Sequence, residues 1–205
     1  MSHASALSQG PKAHTDTNPD GRAMSPSMPP VSASSLDDLH PNDFKTAFRH
    51  HPGGVAVITA TGPNGHVALT ATSVSSVSAE PPLLVFSVSA LSSATPTIVG
   101  AEHVVVHLID TDSIGIARLA ATSGIDRFAD TSLWHELPTG EPVFHGTRWL
   151  RTRIESRVVG ETATIIVARA LESNVSAEEP QAPETGLVYV NREWHGIGDH
   201  TRFGA

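Results

Sequence analysis

The sequence predicts a mainly β domain with a few short helices, folded as an antiparallel barrel. Three observations carry that expectation: apolar runs of strand length recur along the chain, turn residues separate them at hairpin spacing, and one long segment alternates with a period of two. The 205 residues suffice for one domain with a sizeable core and a tail. Residues 1–35 are dense in Ser, Pro, His, Asn and Asp and almost free of large apolar side chains, so they are expected to remain disordered and to leave 36–205 as the domain.

The elements follow in order. Pro41 to about His50 reads as a short helix, with proline at its start, Phe44, Ala47 and Phe48 on one face and Pro52-Gly53-Gly54 as its stop; it is expected to cap one end of the barrel. Val55 to Thr61 and Val67 to Thr72 read as strands joined by a Gly62-Pro-Asn-Gly65 hairpin turn. Pro82 to Val88 and His103 to Ile109 are further apolar strands, with short helices at Pro96 to Gly100 and Ser113 to Ala121. After an irregular stretch containing Asp126-Arg-Phe and Trp134, Leu150, Thr152, Ile154, Ser156 and Val158 alternate with Arg151, Arg153, Glu155 and Arg157, the pattern of a half-exposed strand. Thr162 to Leu171 is its expected partner. A loop through about Thr185 leads to Leu187–Val190 and Trp194–Ile197, expected to close the sheet.

Composition removes several functions. A formal net charge of -8, no block of lysine or arginine and a single tyrosine disfavour a nucleic-acid groove. The absence of cysteine excludes disulfides, thiol catalysis and iron–sulfur ligation. None of the twelve histidines stands in a metal-binding spacing, so no metal is expected. Gly-x-Ser-x-Gly, the Walker loop and the Rossmann glycine fingerprint are all missing. No apolar run reaches membrane length and no cationic segment precedes one, so a soluble, cytoplasmic protein is expected.

What the chain does contain is two hydroxyl clusters bracketed by strands: Thr70-Ala-Thr-Ser-Val-Ser-Ser-Val-Ser-Ala-Glu-Pro-Pro and Ser89-Ala-Leu-Ser-Ser-Ala-Thr95. Small donors at strand ends and turns, where backbone N–H groups are also free, can hold a phosphorylated, planar, heteroatom-rich ligand without charge. Thr95-Pro96 reads as an N-cap followed by proline at the first helical position, a place for a phosphate. The same residues also suit ordinary turns and strands.

Together with Phe48-Arg-His-His-Pro-Gly-Gly-Val-Ala-Val-Ile-Thr, Asp126-Arg127-Phe128, Gly140-Glu-Pro-Val-Phe and Leu187-Val-Tyr-Val-Asn-Arg-Glu-Trp, these clusters make the chain, over about residues 40–198, resemble the flavin reductase-like family. The resemblance implies an FMN-binding antiparallel split β-barrel, usually homodimeric, that transfers hydride from NADH or NADPH to FMN or FAD and feeds a partner monooxygenase. Two other functions stay open: a flavin-binding protein or redox partner without nicotinamide turnover, and a split-barrel flavoenzyme acting on another organic substrate.

The resemblance also suggests roles. Thr72, Ser73, Val74, Ser75 and Ser76 would border the flavin ring, and Ser89, Ser92, Ser93 and Thr95 would cradle its phosphate. Arg127 either reaches that phosphate or pairs with Asp126 or Asp130, and Phe128 would close over the cofactor. Arg151, Arg153 and Arg157 read as a solvated face, and Trp194 as packing. One departure bears on mechanism: many relatives carry Gly-Asp-His where this chain has Gly160-Glu161-Thr162, so Thr162 takes the position of a histidine beside the nicotinamide. His51, His195 and His200 are the imidazoles that could replace it, and Thr162 with His195 forms the expected nicotinamide contact.

Overall fold

The computed structural model describes residues 38–176 and 185–203. The expected tail over 1–35 and part of the loop before Thr185 lie outside the described residues. Contacts divide the chain between Leu39 and His40, and every element below belongs to the second unit.

Helix α1 (Pro41–Arg49) starts as its sequence directs. The His40 ring accepts from the Asn42 N–H, Pro41 occupies the first turn, Asp43 faces the positive end of the helix and Arg49 the negative end. Its apolar face is nevertheless uncovered: no residue of α1 is buried, and Phe44 and Phe48 are 54% and 57% exposed. The expected barrel cap is thus not formed by this chain's described residues.

Strands β1 (Gly53–Gly54), β2 (Ala56–Gly62), β3 (Gly65–Ala71), β4 (Ser75–Ser78), β5 (Leu83–Ser89) and β6 (His103–Leu108) are followed by β7 (Trp134–Glu136), β8 (Pro142–Phe144), β9 (Arg148–Val159), β10 (Ala163–Ser173), β11 (Gly186–Val190) and β12 (Glu193–Ile197). Helix α2 (Thr95–Gly100) lies between β5 and β6, and α3 (Ile114–Ala121) follows β6. Seven strands form one antiparallel sheet in the order β3-β2-β6-β9-β10-β5-β4. That sheet ends at β3 and β4 with no ladder between them, so the antiparallel architecture holds but the expected hydrogen-bonded closure does not. β11 and β12, expected to close it, form a separate sheet with β1 instead, because the two glycines of β1 offer an edge to Val188 and Tyr189.

Residues of β2 serve two cores in alternation. Ala56, Ile58 and Ala60 enter one cluster with Phe86, Val104, Val106 and Ile166, while Val57, with Val55 just before the strand, enters another with Ala117, Phe128 and Phe144. Both faces are covered, which is why Ala56 to Ala60 are all buried. His107 of β6 ties the layers together: its Nδ1 lies 3.1 Å from the Val57 carbonyl, and its Nε2 accepts from the Phe144 N–H at 3.2 Å. Nδ1 therefore carries the proton, and burial depresses the ring's pKa to about 4.

The alternation in β9 holds from Thr152 to Ile154 and then ends. A register shift opposite Val167 and Ala168 bends the hairpin, and Val158, Val159 and Ile165 stand exposed beyond it. The outward arginines are also not a plain solvated face. Arg151 pairs with Glu141 through Nε at 3.1 Å and Nη2 at 3.0 Å, and Arg157 donates at 2.6 Å to the Val99 and Ala101 carbonyls at the end of α2.

A candidate flavin site built from hydroxyls

Strand pairing brings three distant segments together. The register sets Ala163 of β10 opposite Ser89 of β5, and the Ala90 N–H donates to the Thr162 carbonyl at 2.9 Å, so the β9–β10 turn lies against the second hydroxyl cluster. The first cluster is drawn to β5 by Ser73, whose Oγ accepts from the Ser87 N–H at 3.0 Å and donates to the Ser87 carbonyl at 3.2 Å. Behind Thr72 stands Gly53, where a Cβ would meet the Thr72 backbone oxygen and Cβ at 2.8 Å. Only glycine permits that approach, which fixes β1 against the site.

These segments enclose a hollow of about 540 Å3 lined by Thr72, Ser73, Ser87, Ser89, Ser92 and Thr162, with Leu69, Ala71 and Val88 as its apolar lining and no charged side chain. The oxygens of Ser89 and Ser92 accept from the Leu91 and Ala94 N–H groups, so each hydroxyl proton remains available to donate. A smaller hollow of about 130 Å3 takes the next residues along the same two segments, Val67 and Ala68 of β3 and Ser93 and Ala94 of the loop, and is walled by Arg127, Phe128 and His66.

The other expected residues divide. Val74 and Ser75 line a third hollow, on α1, while Ser76 is exposed on β4 and lines none of the three. Thr95 does not cap α2: the N-cap is Ala94, and the buried Thr95 hydroxyl donates back to the Ser89 carbonyl at 2.6 Å, shaping the loop. Arg127 donates from Nε to the Ala120 carbonyl at 3.0 Å and from Nη2 to the Thr122 carbonyl at 2.7 Å, at the end of α3, and makes no ion pair with Asp126 or Asp130 among the described residues. Phe128 is buried, stacked on Phe144 at 5.3 Å and edge-on to Trp134 and His66 at 5.2 and 5.3 Å. His195 sits on β12, 3.8 Å from Glu193, and lines none of the three hollows. His51 does line the third hollow, beside Thr72 to Ser75. His66, which sequence reasoning did not single out, bonds Thr61 at 2.9 Å and Glu136 at 2.9 Å; its partners lie on other strands, so nothing local marked it.

The chain is similar to known proteins over most of its length. The profile of the flavin reductase like domain matches residues 48–198. An NADH:FMN oxidoreductase of Rhodococcus qingshengii is 39% identical over 174 residues, covering 83% of this chain and 90% of that one. The reductase component of a 4-nitrophenol 4-monooxygenase/4-nitrocatechol 2-monooxygenase from Rhodococcus opacus is 24% identical over 170 residues, covering 80% and 91%. A flavin reductase domain protein from Arthrobacter sp. FB24 superposes with a TM-score of 0.70 at 30% identity, covering 77% of this chain and 96% of that one.

Proposed function

Because the chain belongs to the flavin reductase like family, we propose that it is an NAD(P)H-dependent flavin oxidoreductase, with NADH as reductant and FMN as acceptor. The observation that carries this is the uncharged hollow in which hydroxyls from three segments meet. Its volume of about 540 Å3 falls within the range of small-ligand sites, roughly 300–1,000 Å3. Its donor set suits a flavin: Ser89 and Ser92 keep protons to give to phosphate or ring oxygens, and the apolar lining accepts the ring.

When bound, the flavin supplies the hydride-accepting centre. The chain's own part is to bind and to position. Ser89 and Ser92, with Ser93 of the smaller hollow, would hold the phosphate, while Thr72 and the backbone around Ser73 would border the ring and place donors where negative charge accumulates on reduction. Thr162 lines the same hollow, and its hydroxyl can hydrogen-bond the nicotinamide carboxamide. No side-chain acid or base is needed for the transfer, which is consistent with a site free of charge.

The uncovered faces support a homodimer. Val77 on β4, and Val158 and Val159 at the β9 end, are each more than half exposed, apolar side chains that a second copy of the chain would cover. Among the described residues no helix is long and apolar enough to cross a membrane, and we place the enzyme in the cytoplasm, where its reductant is made. The reduced flavin is passed to a partner oxygenase, a reading supported by the Rhodococcus opacus relative, which is named as the reductase component of a monooxygenase.

Anaerobic rapid mixing of the protein with FMN and NADH tests the activity. Saturable bleaching of the flavin absorbance is expected. Tight FMN binding with no bleaching by NADH or NADPH would leave a flavin carrier and overturn the reductase assignment.

A further inference from the structure

Thr72 and Ser73 also wall the third hollow, of about 710 Å3, whose other sides are α1 and the β11–β12 turn. Lys45 and Arg49, one helical turn apart, line it with Arg192, and no aspartate or glutamate does. The whole chain carries a net charge of -8 and only two lysines, so this is a local reversal of sign. Among the described residues none of the three cations is ion-paired; the neighbouring carboxylate Glu193 lies 3.8 Å from His195 instead, and Asp43 sits in the first turn of α1.

The turn itself is a second and independent sign. Asn191 and Arg192 adopt φ of 51° and 66°, the left-handed pair of a two-residue hairpin loop that favours Asn-Gly. Asparagine tolerates that region, whereas an arginine there is strained. Glycine would relieve the strain and remove the charge together. The Asn191 N–H donates to the Arg49 carbonyl at 2.8 Å, holding the turn against the end of α1 so that both arginines face one space. Phe44, Phe48 and Tyr189 give that space an aromatic side.

Unpaired guanidinium forks suit phosphate oxygens, and exposed aromatic rings suit a nucleobase. We propose that this hollow binds the diphosphate of a dinucleotide, with Arg49, Arg192 and Lys45 as its counter-charges. The inference rests on the reductase reading: a nicotinamide dinucleotide anchored here would extend across the shared wall of Thr72 and Ser73 toward the flavin. FAD carries the same diphosphate, so the experiment separates the two sources.

The probe is ADP-ribose, which has the diphosphate and adenosine without the nicotinamide, titrated calorimetrically into the full chain loaded with FMN. The native protein should bind it, more weakly as salt rises. Arg192→Gly relieves the backbone, so its melting temperature should hold or rise. Combined with Arg49→Gln, it should weaken ADP-ribose and raise KM for NADH at least ten-fold, with FMN affinity changed less than two-fold. A ten-fold loss of FAD affinity relative to FMN, with KM for NADH unmoved, would keep the diphosphate site and assign it to the flavin's adenylate half. Unchanged ADP-ribose, NADH and FAD behaviour in a folded variant overturns the proposal, as does an equal loss of FMN. Because ADP-ribose binding needs no turnover, a protein that binds it here yet fails to reduce flavin refutes the reductase reading and not this site.

Discussion

Ser73 mimics a strand residue with its side chain: a single Oγ takes the Ser87 N–H at 3.0 Å and returns a bond to the Ser87 carbonyl at 3.2 Å. Between the end of β3 and the start of β4 the backbone leaves the ladder, and this hydroxyl holds the departing segment to β5. The flavin-facing segment is thereby positioned by one of its own serines.

Ser73→Ala should therefore act on position more than on ligand contact. It leaves the half-buried Ser87 amide and carbonyl without their partner, at a cost of about 1 kcal/mol for each bond lost. A lower urea midpoint together with several-fold weaker FMN binding is expected. A variant with native stability and native FMN affinity would show that the clamp does not order the site.

The phosphate assignment is tested by subtraction. Ser92→Ala combined with Ser93→Ala should weaken FMN about ten-fold while changing riboflavin, which lacks the phosphate, less than two-fold. Fluorescence titration with both ligands reads the difference. Equal losses would move the phosphate elsewhere.

Thr162→Val should raise KM for NADH only several-fold, since one neutral hydrogen bond contributes on the order of 1 kcal/mol. Thr162→His puts an imidazole on the wall shared with Ser89 and should shift KM for NADH further. Steady-state kinetics with both variants decides, and native values in both would remove Thr162 from the reductant contact.

His107 makes the fold sensitive to acid. Its pKa falls from 6.5 to about 4 on folding because burial disfavours the charged ring, so the unfolded chain binds the extra proton between those values. Stability from this group is complete above pH 6.5 and declines as pH falls toward 4, by about 3 kcal/mol in total. Urea midpoints measured from pH 7 to 4 should fall accordingly, and His107→Gln should flatten that part of the curve. An unchanged slope in the variant would assign the acid sensitivity to other groups.

Dimerisation should depend on the projecting β9–β10 hairpin. Val159→Lys places a charge on a side chain that is 76% exposed in the single chain, so it should cost the monomer nothing and weaken the dimer. Light scattering at micromolar concentration should give a dimer for the native protein and a smaller species for the variant. A native monomer would refute the assembly.

The sequence by itself determined the three helices and the longer strands and suggested the kind of chemistry, while the short strands β1, β4, β7 and β8 carry too little local pattern to be read from it. Local rules sufficed for these: Pro41 and Pro52 bound α1, Gly62 and Gly65 make the first hairpin, and period two marks β9, while the two hydroxyl clusters suggest an uncharged site for a phosphorylated ligand. Tertiary structure decided which of those hydroxyls are free. Ser73 and Thr95 carry the same group as Ser92 but spend it on the Ser87 and Ser89 backbones, and Arg127 spends its guanidinium on the end of α3. It also brought Thr162 beside Ser89, and Arg49 beside Arg192, across separations no local pattern spans. The physical reason is that propensity and periodicity act within a turn or a strand, whereas the occupancy of a donor and the sign of a cavity depend on strand register and hairpin packing between distant segments.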